Sequence, residues 1–147
     1  MYLLDTTIAT LFDPARRREA EAVIAWMDRH DRLLCVSVVT LMEIEAGLIR
    51  LRRQGRAGRA AAIEALRTTL LRDFSARLLP VDADVALIAA GLREAVRPDA
   101  VETGTLLIAA TARARGLTVL SRTPLRFTAL GVAALDPLAG LPPDAGG

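Results

Sequence analysis

The feature that most constrains this chain is the alternation of short apolar runs with longer segments of helical spacing. Tyr2–Leu4, Leu33–Val38, Leu78–Leu79 and Leu117–Leu120 read as buried strands, and Leu135 ends a last one. Between them the spacing predicts helices from Thr6 or Thr7 to Phe12 and, after an Asp13-Pro14 turn, from Ala15 to Arg29 through Ala20, Val23, Ile24 and Met27. Further helices are predicted from Thr40 through Leu41, Ile44, Leu48 and Leu51, from Ala60 to Phe74, from Ala83 to Val96 and from Thr103 to Arg115. Strands separated by helices argue for a parallel sheet covered on both faces, an α/β architecture. The 147 residues suit one domain over 1–137, followed by a Pro/Gly-rich tail over 138–147 with little capacity to pack. Aromatic residues are only 3%, so Leu, Ala, Val and Ile must build the core. Trp26 and Phe74 are expected in that core or at a dimer interface.

Several chemistries are excluded by what is missing. All 19 basic residues are arginine, so a phosphoaspartate mechanism at Asp5, which needs a lysine to neutralise the phosphoryl group, has no candidate. The single histidine, His30, lies in a polar stretch and suits a solvated helix end better than a general base. Cys35 is the only cysteine and sits in the apolar run LLCVSVV, where it acts as a small hydrophobe. The start MYLLDTT lacks a secretory pattern and no apolar run approaches the roughly 20 residues of a membrane span, so a cytoplasmic location without membrane contact is expected.

Asp5 ends the first strand. In open α/β sheets ligands bind outside the carboxyl ends of the strands, and one carboxylate alone holds a hard divalent cation weakly. Glu43 is the best second acid, near the start of the helix after the second strand. Two readings compete for it: a partner of Asp5, or the far end of a Thr40-x-x-Glu43 capping box bonded to the helix start.

The strings MYLLDTT, SVVTLMEIEAGL, LIAATARARGLTVLSR and GVAALDP, in that order over residues 1 to 137, resemble the PIN-domain toxins of the VapC type. The resemblance implies a small three-layer α/β/α sandwich and an Mg²⁺- or Mn²⁺-dependent endoribonuclease. It also implies a homodimer held inactive by a small cognate antitoxin, which an apolar groove between the early helices would receive. The first two acidic positions of the family match Asp5 and Glu43. The third, usually Asp, is Thr105; the fourth, after the last strand, falls in Ser121-Arg122-Thr123, where Thr123 replaces an acid or Asn; and the supporting position 7 is Thr7.

Two threonines in place of acids leave neutral hydroxyls where charge is usual, so cation binding should be weaker. Glu102 lies three residues before Thr105 and on a continuous helix would share its face; it either reaches the site as a substitute ligand or merely favours the helix N-terminus. Arg50, Arg52, Arg53, Arg56 and Arg59 follow one another without an intervening acid and could hold RNA phosphates or form a solvated face. The resemblance therefore leaves two functions open: a metal-dependent ribonuclease toxin, or a degenerate relative that keeps only the antitoxin-binding surface. Val23, Trp26 and Met27 suggest an apolar surface buried beyond the monomer.

Overall fold

The computed structural model describes residues 1–97 and 99–144. Five short strands, β1 (Tyr2–Leu4), β2 (Leu34–Ser37), β3 (Leu78–Leu79), β4 (Thr118–Leu120) and β5 (Ala134–Leu135), form one sheet in the order β3-β2-β1-β4-β5. Every pairing is parallel, with Tyr2, Leu3 and Leu4 in register with Leu34, Cys35 and Val36 on one side and with Thr118, Val119 and Leu120 on the other. Parallel strands need crossovers, and seven α-helices among the described residues, most of them in those crossovers, cover the sheet: α1 (Thr6–Ala9), α2 (Glu21–Arg29), α3 (Val38–Arg53), α4 (Ala57–Asp73), α5 (Ala83–Glu94), α6 (Thr103–Arg115) and α7 (Leu125–Thr128).

Strand alternation divides the core into two layers. Successive side chains point to opposite faces, so Leu4, Leu34, Val36 and Leu120 pack beneath the helices α1 to α4, while Leu3, Cys35 and Val119 pack against α5, α6 and α7. This is the expected α/β/α sandwich. Trp26 and Phe74 are both buried in the first layer, with Trp26 edge-on to Tyr2 at 5.4 Å between ring centroids. Val23 and Met27 lie there too, so these residues complete the monomer core and give no sign of a further buried surface.

Two helix starts depart from expectation for local reasons. The helix predicted from Ala15 begins only at Glu21, because the Asp13 carboxylate accepts the Ala15 N–H in a side-chain turn and Ala20 has φ −140°, leaving a 3₁₀ turn over Arg17–Glu19. The helix expected from Thr40 starts at Val38, since buried Ser37 caps it by accepting the Val39 N–H at 3.1 Å. That overturns the capping-box reading, for Thr40 lies inside the helix. The short α7 was not foreseen.

The described part of the tail packs rather than fraying. Leu138 rests on the first core layer, Pro142 is buried, and Asp144 meets His30 Nε2 at 3.3 Å, while His30 stacks on Trp26. Residues 145–147 lie outside the described residues. No described helix is long and apolar enough to cross a membrane.

Candidate functional site

The strand order reverses at the centre of the sheet: from β1 the chain goes to β2 on one side and later returns as β4 on the other. Ligand crevices of α/β sheets form at such a switch point. Asp5, the first residue after β1, sits there and its N–H donates to the Leu120 carbonyl at 2.9 Å. Its side chain is buried, and a buried carboxylate requires donors. Oδ1 accepts the Thr6 N–H at 2.8 Å, capping α1, while Oδ2 accepts the hydroxyls of Thr7 at 3.0 Å and Ser121 at 2.7 Å.

Glu43, on the second turn of α3, belongs to the same neighbourhood. Its Oε2 accepts the Thr6 hydroxyl, so Thr6 stands between the two acids, giving its N–H to one and its O–H to the other. Thr40, one turn earlier, lies in hydrogen-bonding range of both Thr6 and the Leu4 carbonyl, tying α3 to the end of β1. From the opposite layer the start of α6 closes over Glu43: a Cβ placed on Gly104 would overlap Glu43 Oε1 and lie 3.4 Å from its Cδ. Only glycine leaves the carboxylate that room.

The remaining expected residues divide. Thr7 holds Asp5 and also accepts the Arg122 N–H at 3.1 Å, fixing the loop after β4. Thr123 reaches Asp5 only through Ser121, to which its N–H donates at 3.0 Å. Thr105 lines a separate cavity of about 360 Å³ with Glu102, Asp99 and Arg126. Glu102 is the exposed N-cap residue of α6, not part of a continuous helix carrying Thr105, and its side chain makes no capping bond. Among the arginines, Arg52 pairs with Glu64 at 3.1 Å, Arg59 pairs with the buried carboxylate of Asp13, Arg53 is exposed, and Arg50, Arg56 and Arg59 line a cavity that includes Glu43.

Sequence reasoning missed Thr6, Ser121 and Gly104. Thr6 and Ser121 were visible inside motif strings and Gly104 stands three residues before one, but a search for acids passes over hydroxyls and glycines. The donor set near Asp5 and Glu43 is all oxygen, which suits a hard cation such as Mg²⁺ or Mn²⁺. Two carboxylates supply its charge; among the described residues no third acid, histidine or cysteine joins them in a metal-holding cluster.

Comparison with known proteins agrees with this fold. A PIN domain family model matches residues 2–123. Toxin FitB of Neisseria gonorrhoeae is 34% identical over 142 residues, covering 93% of this chain and 98% of the relative. The crystal structure of FitAcB from Neisseria gonorrhoeae superposes with a TM-score of 0.73 at 30% identity, covering 93% of this chain and 98% of that one. The DNA-bound VapBC structure from Salmonella typhimurium shares the fold, with a TM-score of 0.67 at 22% identity over 92% of this chain and 96% of that one. With its Asp5–Thr6–Glu43 junction at the sheet's switch point and a family match over most of its length, the chain belongs to the PIN-domain family.

Proposed function

We propose that this protein is the toxin of a toxin–antitoxin pair and acts as an Mg²⁺- or Mn²⁺-dependent endoribonuclease. The observation that carries the reading is the convergence of Asp5 and Glu43, from different elements, on the two sides of Thr6 at the carboxyl end of the central strand. A relative that is a toxin by name supports the biological role. Asp5 and Glu43 would hold the cation, and the hydroxyls of Thr6, Thr7 and Ser121 keep Asp5 and Glu43 oriented. When bound, the cation supplies a water of lowered pKa and charge stabilisation at the phosphorus. Glu43, half-buried and facing a cavity, would present its carboxylate to both the cation and a substrate entering from that side. A cognate antitoxin and a homodimer complete the proposal.

A second reading is favoured by one feature: the buried Asp5 carboxylate accepts three hydrogen bonds, from the Thr6 N–H and the Thr7 and Ser121 hydroxyls, and among the described residues no third acid joins it and Glu43 in a cluster. Such a site could persist without metal in a protein that only binds its antitoxin. Calorimetric titration of Mn²⁺ into the wild type, Asp5→Asn and Glu43→Gln, run beside cleavage of a structured RNA, separates the two. The nuclease reading expects saturable binding and cleavage, both lost in the variants. Absence of both in the wild type would leave the binding module.

A further inference from the structure

The face of α3 that carries Glu43 continues away from the acids. Residues 43, 47, 50 and 54 recur at the spacing of one helical face, and Glu43, Gly47, Arg50 and Gln54 all line one cavity of about 390 Å³. Arg56 and Arg59, at the start of α4, form its other wall. The result is a trough whose inner end is acidic and whose outer end is basic.

Three observations say what the outer end would take. First, no ion pair forms to Arg50 or Arg56 among the described residues, whereas Arg52, on another face of α3, is satisfied by Glu64. Second, Arg59 is fixed in place by Asp13, whose side chain is 1% exposed; the pair anchors the guanidinium through Nη1 and leaves its other N–H groups for an acceptor in the cavity. Third, Gly47 lies inside a continuous 16-residue helix where a Cβ would meet nothing within 4 Å. Packing does not require glycine there, and glycine disfavours the helix, so what its lack of a side chain provides is the open floor of the trough. No aromatic residue lines the cavity, so it offers no platform for stacking bases.

We propose that this trough binds phosphodiester groups of single-stranded RNA next to the scissile bond, through Arg50, Arg56 and Arg59, without reading the bases. The inference rests on the nuclease reading and names the contact surface it needs. Arg50 lies seven residues beyond Glu43, about 10 Å along the helix axis, so the basic end meets a phosphate other than the one at the acids. Guanidinium forks pair with phosphate oxygens, and such contacts are independent of sequence.

The test measures binding of a short fluorescent oligouridylate by anisotropy in EDTA, where hydrolysis plays no part. Arg50→Gln/Arg56→Gln should weaken binding by tenfold or more and reduce the salt slope by about 1.4, two contacts at roughly 0.7 each for a single strand. Gly47→Leu should weaken binding comparably with no change in charge, and because it replaces a helical glycine it should fold at least as well as the wild type. Arg52→Gln/Arg53→Gln, which removes the same charge outside the trough, should change affinity far less. Equal losses in the two arginine pairs would reduce the effect to net charge and overturn the proposal, as would unaltered binding in Gly47→Leu. Retained oligouridylate binding with loss of polyglutamate binding would assign the trough to an acidic protein partner instead. Since no divalent metal is present, failure of Mn²⁺-dependent cleavage would sink the nuclease reading without obscuring these results.

Discussion

Gly104→Ala adds one methyl group where α6 passes over Glu43, and its consequences can be worked from both sides. The backbone there is not left-handed, so alanine fits it, and in a helix alanine is favoured over glycine by about 0.5–1 kcal/mol. Against this, the methyl would overlap Glu43 Oε1, and the carboxylate must swing away from the Thr6 hydroxyl. A hydrogen bond to a charged group contributes about 1.5–3 kcal/mol, and the lower end applies because Glu43 is half-buried and water can replace the donor. The two effects partly offset, leaving a net loss of about 0.5–1 kcal/mol and a melting temperature lower by a few degrees. The informative quantity is therefore the coupling rather than the single change. Glu43→Asp shortens the acid and by itself gives up the Thr6 contact, at a cost of about 1.5 kcal/mol. After Gly104→Ala that contact is already lost, so Glu43→Asp should then cost nearly nothing. Urea denaturation of the four proteins should yield a coupling energy of about 1–1.5 kcal/mol with constant m-values. Additivity within about 0.5 kcal/mol would refute the claim that Gly104 exists to make room for Glu43.

Ser121→Ala deprives buried Asp5 of its 2.7 Å hydroxyl donor and should destabilise the protein by about 1–3 kcal/mol in the same assay, with little change expected if water takes the place of the serine. Burial pushes the Cys35 thiol above its ordinary range, so a thiol reagent should react slowly with the native protein at neutral pH, faster as pH rises and rapidly in urea; fast native labelling would contradict its place in the core. Thr105→Asp puts an acid in the first turn of α6, where the macrodipole favours it by about 0.3–1 kcal/mol, and should tighten Mn²⁺ binding several-fold by calorimetry. Unchanged affinity would mean that the cavity shared with Glu102 and Arg126 lies out of reach of Asp5.

How much of this was legible follows from which forces act locally. The sheet and its crossovers announce themselves through periodicity, because a residue such as Leu4 must be apolar wherever its neighbours lie, and α6 ends where Gly116 adopts φ +64°, as a glycine after a helical run suggests. What depended on distant partners was hidden. Ser37 and Thr40 are equally good caps in sequence, and β2 ending at Ser37 decides between them. Trp26 and its neighbours looked like surplus apolar area until Tyr2, His30 and the tail closed around them. The five arginines formed one basic block on paper, and only the approach of Asp13 and Glu64 sorted them into different roles.

The same distinction bears on the site itself. Acids were sought at four positions because four carboxylates around a cation are the family's habit; two were found, and the polar groups that surround them are hydroxyls and N–H donors. Two carboxylates about 4 Å apart repel by about 4 kcal/mol at an effective dielectric of 20, and each further acid adds comparable terms. A four-acid rim is thus strained without its cation, and cation binding stabilises the fold strongly. Here Thr6 separates Asp5 from Glu43 and donates to both, so the rim is already satisfied before any ion arrives. The same hydroxyl that relieves the repulsion must yield or share its acceptor when a cation binds, which lowers affinity a second time beyond the missing charges. On the nuclease reading proposed above, Thr6 would weaken the response to a cation as much as the threonines at the acidic positions, and removing that hydroxyl by Thr6→Val should both destabilise the metal-free protein and strengthen its response to Mn²⁺.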